Sequence, residues 1–256
     1  MQISTINTAF LHGDQFSCLK IVTISTITIL SFFLTFQLRA QPQNLSDPKK
    51  IIAGFEIVGG PSLSNFWGKD ISDDQVLNLN FVFGIGVYHM LNEHFELDLR
   101  LLSEKKGDKT DYTSTFFDPD NNPTTYRFVR GHELKYFTAH ISLKYYFGNQ
   151  RRISVSAGGY LGFLQDSKTY TETYDPQGTL ISYYYADDNS FENLDYGLTL
   201  ALGSRISIAK RVDLKPQLMA SMGLADIINR DLPNMDGYPV KNYSLSLFIC
   251  IAFNTK

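Results

Sequence analysis

Eight times after Lys50 the chain alternates apolar residues with small or polar ones at a strict period of two. Such alternation marks a strand whose two faces meet different surroundings. The first segment sets Ala53, Phe55 and Ile57 against Gly54, Glu56 and Val58. The others begin at Leu77, Phe95, Phe137, Ile153, Leu194, Val212 and Tyr243. Each approaches the roughly ten residues that a tilted strand needs to cross a bilayer. Short links at Leu91–His94, Gly148–Arg152 and Ala209–Arg211 alternate with long polar links at Pro61–Val76, Glu104–Glu133, Gln165–Asn193 and Leu224–Lys241. That rhythm predicts an up-and-down antiparallel barrel with all large loops at one end, and both chain ends at the other.

A period of two leaves open which face is inside, and volume decides it. Roughly five large apolar side chains per segment make about forty, counted from the alternation. An eight-stranded barrel is only just wide enough for side chains to fill, so that load belongs outside, against lipid. The opposite faces carry small residues (Gly84, Gly86, Ser154, Ser156, Gly158, Gly162, Gly197, Gly203, Ser244, Ser246) that suit a crowded interior. Among them stand Glu56, Glu96, Asp98, Arg100, His140, Lys144, Asp195, Arg205, Asp213 and Lys215. Both signs are present, and unpaired buried charges are costly, so these residues are expected to form a lumen charge network. Aromatic residues near the segment ends, such as Tyr88, Phe95, Tyr145, Phe163 and Tyr243, fit girdles at the two interfaces. Pro216, awkward in a strand, is expected to mark a bulge.

Upstream, residues 21–38 carry no charge, follow Lys20 and precede Arg39-Ala40. This is the layout of a secretory signal cut after Ala40. The rival reading is a membrane anchor, but the run is thin in Leu and interrupted by Thr and Ser. Residues 1–40 are therefore read as a removed signal peptide, 41–50 as a linker and 51–256 as the barrel. Cys250 is then the only mature cysteine, which excludes an intrachain disulfide.

These features resemble small bacterial outer-membrane β-barrels of the porin-family, PorT-like group. The likeness rests on Gly54-Phe55-Glu56-Ile57-Val58-Gly59-Gly60 at the opening, Tyr145-Tyr146-Phe147-Gly148 before a tight turn, and the final strand Tyr243–Phe253. It implies residence in the bacterial outer membrane and, for some members, association with secretion. It also implies a closing aromatic residue read by barrel-assembly machinery; here Phe253 is followed by Asn254-Thr255-Lys256.

Candidate chemistry is sparse. His140, Ser142 and Lys144 share one face, which admits a lipid-modifying reading with His140 as base; a lumen histidine held by its charged neighbours is the simpler account. Asp118-Pro119-Asp120-Asn121-Asn122 lacks the glycine and distal glutamate of a calcium loop and reads as a turn. Tyr170, Tyr174, Tyr183, Tyr184 and Tyr185 fit either contact with a partner or sugar, or a hairpin above the membrane. Lys105-Lys106 and Arg151-Arg152 are too short for polyanion binding. With 23 basic against 26 acidic residues and a pI near 5.9, the chain lacks the basic footprint of a nucleic-acid binder. No cofactor or metal motif stands out. The expected function is a non-enzymatic barrel with a filled lumen, structural or associated with secretion or adhesion; the alternatives are a narrow channel for small solutes and a lipid-modifying enzyme. Expected partners are outer-membrane lipid and lipopolysaccharide, the assembly machinery, and a protein met through the long loops.

Overall fold

Strands can cross lipid only when every backbone amide and carbonyl is paired, which demands a closed sheet. The computed structural model describes residues 53–68, 74–148, 152–230 and 237–255; the expected signal peptide and linker lie outside the described residues. Twelve strands follow in chain order: β1 (Ala53–Trp67), β2 (Gln75–Val76), β3 (Asn78–Met90), β4 (Phe95–Lys106), β5 (Lys109–Phe117), β6 (Pro123–Phe147), β7 (Ile153–Tyr174), β8 (Leu180–Asp187), β9 (Leu194–Ser204), β10 (Ile206–Ala209), β11 (Val212–Gly223) and β12 (Lys241–Asn254). Eight of them form a ring in the order β1, β3, β4, β6, β7, β9, β11, β12, every contact antiparallel. Pairing of β1 with β12, from Gly54 opposite Asn254 to Trp67 opposite Lys241, closes it. This is an eight-stranded up-and-down barrel with short periplasmic turns and long extracellular connections.

The faces segregate as lipid demands. Leu79, Phe81 and Ile85 on β3 are 69, 64 and 62% exposed, while Val82, between the first two and the third, is fully buried. The same inversion holds on β4, where Leu97, Leu99 and Leu101 point out and Glu96, Asp98 and Arg100 point in. At the periplasmic end Phe55 stacks on Phe253 across the closing seam at 4.8 Å, and Phe95 meets Tyr145 at 5.1 Å. Aromatic pairs at this level, one stacked and one tilted, fit the interfacial girdle.

Three of the long polar connections are largely strand, and the tyrosine run of 170–185 forms a hairpin above the membrane, one of the two readings its sequence allowed. β1 runs through Pro61 to Trp67. The 104–133 stretch is the top of β4, then β5 and the start of β6, and 165–193 contains the top of β7 and all of β8. β5 continues the register of β4 along β6, since Lys106 lies opposite Leu134 and Lys109 opposite Gly131. The break between them falls at Gly107, whose φ of 137° excludes most side chains; an added Cβ would also lie 1.9 Å from the His132 carbonyl oxygen. Apolar alternation ends where lipid ends, but runs such as Thr169–Thr173 keep the β-branched and aromatic residues that favour strands, so the ladder continues. Together β2, β5, β6, β7 and β8 make a sheet that rises out of the barrel wall.

Pro216 does not mark a bulge. Its pairing with Ile249 of β12 is in register, and on the other side Leu214 opposite Ile206 and Gln217 opposite Gly203 share one register. The proline, lacking an amide hydrogen, sits where β9 gives way to β10, so the missing donor coincides with a break already in the wall. The register shift lies further on, between Ser207 and Ala209.

A charge at mid-height on the outer face tests the orientation. Leu200→Arg should cost about 2–4 kcal/mol, and Phe253→Arg near the interface about 0–1 kcal/mol, in urea unfolding from lipid vesicles.

Candidate functional site

The barrel's inward face is built in layers that follow from strand parity. Nearest the periplasm, the Arg205 guanidinium grips Asp213 (Nε to Oδ2 2.8 Å), and Ser207 and Asn254 also donate to that carboxylate. Above it lies an ionic layer of three acids and three bases. Arg100 donates to Glu56 (2.6 Å), Asp98 (2.7 Å) and the Gln217 carbonyl (2.8 Å). Lys144 reaches Glu96 (2.6 Å) and Asp98 (3.1 Å), and Lys215 meets Glu96 at 3.1 Å while lying 3.5 Å over the Tyr88 ring. The Tyr146 hydroxyl donates to Glu96 at 2.9 Å. The layer is neutral and buried, the arrangement in which desolvated charges are tolerable. Gly86 makes room for it, because a Cβ there would press on the Arg100 and Glu56 side chains at 2.9 and 3.1 Å.

An apolar plate follows, made of Val58, Val82, Leu102, Ala201, Met219, Phe248 and Cys250. A second ionic layer stands on top of it. Lys106 pairs with Asp195 (3.0 Å) and Glu104 (3.4 Å), and its ammonium sits 3.9 Å from the centre of the Tyr160 ring. Tyr160 and Asn242 both donate to Asp195. His140 stacks on Tyr160 at 5.5 Å, with Nε2 3.1 Å from Thr138 Oγ1 and 3.7 Å from Glu104. The ring is buried among these groups and partners Thr138, with the Ser142 of the enzyme reading further along the strand.

The extracellular mouth is covered by a second apolar cluster of Phe66, Leu134, Tyr136, Phe191 and Ile227. Phe191 precedes β9 and Ile227 follows β11; Glu192 N donates to Ile227 O, and Ile227 N to Val240 O, so the two connections knit over the opening. His132 joins this lid to the rim: Nδ1 lies 2.7 Å from Asp108, Nε2 3.8 Å from Asp188, and its ring packs against Phe66 and Phe191.

Thus Glu56, Glu96, Asp98, Arg100, Lys144 and Lys215 meet in one cluster, His140 and Asp195 in another, and Arg205 and Asp213 in a third. Sequence reasoning missed Glu104 and Lys106, which it had placed in a loop. Their signal was there: they continue the even-numbered parity of Glu96, Asp98 and Arg100. In the loops, Asp118–Asn122 is the turn between β5 and β6, with Asn122 N and Nδ2 both donating to Asp118 and Asn121 at φ 63°. Among the described residues, no three His, Cys, Asp or Glu side chains are grouped to hold a metal ion. In the β5–β6 hairpin the Arg127 guanidinium, bound to Asp111, holds that carboxyl below its ordinary range. In the lid, burial pushes the Asp226 carboxyl up, but hydrogen bonds from Arg230 and the Val240 and Ile228 amides outweigh it and hold the group below its ordinary range.

A closed antiparallel wall, greasy outside and ionic within, defines a transmembrane barrel of the bacterial outer membrane. The chain matches the model of the outer membrane protein beta-barrel domain over residues 39–229 and belongs to that family. Among solved structures it is similar to Ail of Yersinia pestis, with 11% identity, 80% of this chain and 99% of that one covered, and a TM-score of 0.33. Neisserial surface protein A (14%, 78% and 97%, 0.38) and OprG from Pseudomonas aeruginosa (15%, 81% and 99%, 0.38) are similar in the same way. No curated protein sequence matches it.

Two measurements probe this site. Arg100→Ala leaves Asp98 with Lys144 and Glu56 with only the 3.7 Å contact to Lys215, and should cost about 3 kcal/mol of unfolding free energy, whereas Lys105→Ala, at the exposed pair with Glu133, should cost less than about 1 kcal/mol. Asp226, with its folded value depressed, stabilises the lid above the unfolded carboxylate value of about 4 and loses that contribution as pH falls through the folded value. Pepsin cleavage within 224–240 should therefore rise steeply below about pH 4, and Asp226→Asn should admit proteases at neutral pH.

Proposed function

We propose that this protein is a non-enzymatic, non-conducting barrel of the PorT-like kind, an adhesion or secretion-associated component that acts through its extracellular sheet. One observation carries the reading: ionic layer, apolar plate, second ionic layer and apolar lid succeed one another along the axis, so the lumen is occupied by side chains over its height. A channel needs a polar path from end to end, and the apolar plate between the two ionic layers interrupts it. What remains for work outside the cell is the sheet of β5 to β8. A cleaved signal would deliver the chain, assembly machinery would insert it, and lipid and lipopolysaccharide would surround it.

Planar-bilayer recording tests the proposal. Purified protein whose migration on gels is heat-modifiable should give no steady unitary current steps; reproducible steps would overturn the reading in favour of a narrow channel. His140→Ala should leave the outer-membrane lipid profile unchanged, and an altered profile in a folded variant would favour the enzyme.

A further inference from the structure

An edge strand exposes a row of unpaired amides and carbonyls, and natural proteins blunt such edges with lysine, proline or a covering segment. The rising sheet has two edges. On one, β2 covers the base of β5 by pairing Gln75 and Val76 with Thr110 and Lys109. On the other, β7 is the only strand paired with β8 among the described residues. β8 carries no charge or proline from Leu180 to Ala186, and Leu180, Ile181, Tyr183, Tyr184 and Tyr185 are each between 43 and 58% exposed. A bulge relative to β7 occurs only at the tip, by Ile181, leaving Ser182–Asp187 in regular register. Tyr183 and Tyr185 already stack on one another at 6.1 Å, on the face opposite Tyr184.

Only an extended strand satisfies such a ladder, and β8 is self-complementary. In a twofold antiparallel pairing with Tyr184 opposite its own copy, Tyr183 meets Tyr185 and Ser182 meets Ala186, with no like charges opposed. Aromatic cross-strand pairs are the favourable kind. The direction of the strand then places the second copy. β7 ascends from the membrane and β8 descends toward it, so a twofold axis along the membrane normal would leave both β8 strands running the same way. Antiparallel union reverses one of them, which requires the copies to stand in two facing membranes.

We propose that β8 is a homotypic docking edge that joins two copies of this chain across facing membranes by antiparallel strand addition centred on Tyr184. This deepens the adhesive reading above and rests on it. The test uses the full mature protein in phosphatidylcholine vesicles, with clustering followed by light scattering. Wild-type vesicles should cluster. Vesicles bearing Tyr184→Lys or Tyr184→Glu should each stay dispersed like protein-free ones, because like charges then oppose, while mixing the two should restore clustering. Tyr184→Thr, which keeps the strand and adds no charge, should cluster. Tyr184→Cys should form covalent dimers that combine labels from two vesicle populations, since directly opposed strand residues lie within disulfide reach and Cys250 is buried in the lumen. Dispersed wild type, clustering by either charged variant alone, or a mixture that stays dispersed would overturn the proposal. Heat-modifiable migration of each variant shows that its barrel is intact. A barrel silent in bilayers whose vesicles stay apart would sink this inference and leave the non-conducting reading standing; a conducting one would sink that reading instead.

Discussion

The structure depends on one requirement: no backbone amide or carbonyl may face hydrocarbon unpaired. It forces the eight wall strands into a ring, and the pairing of β1 with β12 is where the requirement is met last, by segments nearly two hundred residues apart in sequence. A ring of eight has little internal space. The inward faces must therefore hold small residues and pack the rest tightly, and the charges among them must find partners at once. Gly86 yielding space to Arg100 and Glu56 is that rule at a single position.

The ionic layers follow from the same constraint. Three carboxylates and three cations on four strands converge at the lower level, each with at least two contacts. A neutral cluster of this kind contributes less to raw stability than an apolar core of the same volume would. It does restrict how the strands can be registered, because sliding one by a residue would turn its charges into the lipid. The apolar plate above it and the lid of Phe66, Phe191 and Ile227 do the conventional packing.

Much of this was legible in the sequence because lipid writes a simple code. The parity of Leu97, Leu99 and Leu101 against Glu96, Asp98 and Arg100 identified wall, orientation and most of the lumen charges. The code stops at the membrane surface. Above it the strict apolar-out, polar-in alternation ends, so the tops of β4 and β6 read as loop, and Glu104 and Lys106 were hidden there; only the tyrosine run of 170–185 hinted at a hairpin. The grouping of charges into layers was also illegible, since it depends on strand stagger rather than on spacing within a strand. Pro216 misled for a different reason: its missing donor coincides with the end of β9, so no bulge was needed.

β6 and β7, at 25 and 22 residues, cross the membrane boundary as paired strands, from Phe147 opposite Ile153 to Arg127 opposite Tyr174, with one register shift between Lys135 and Tyr136. At about 3.3 Å per residue, β6 is a rod roughly 80 Å long, rooted in the bilayer. A pull at its tip, directed away from the cell, would load that ladder lengthwise, with many hydrogen bonds sharing the tension instead of parting one by one. The rod and its socket are a single piece of sheet, and traction outside the cell would be transmitted directly to the membrane.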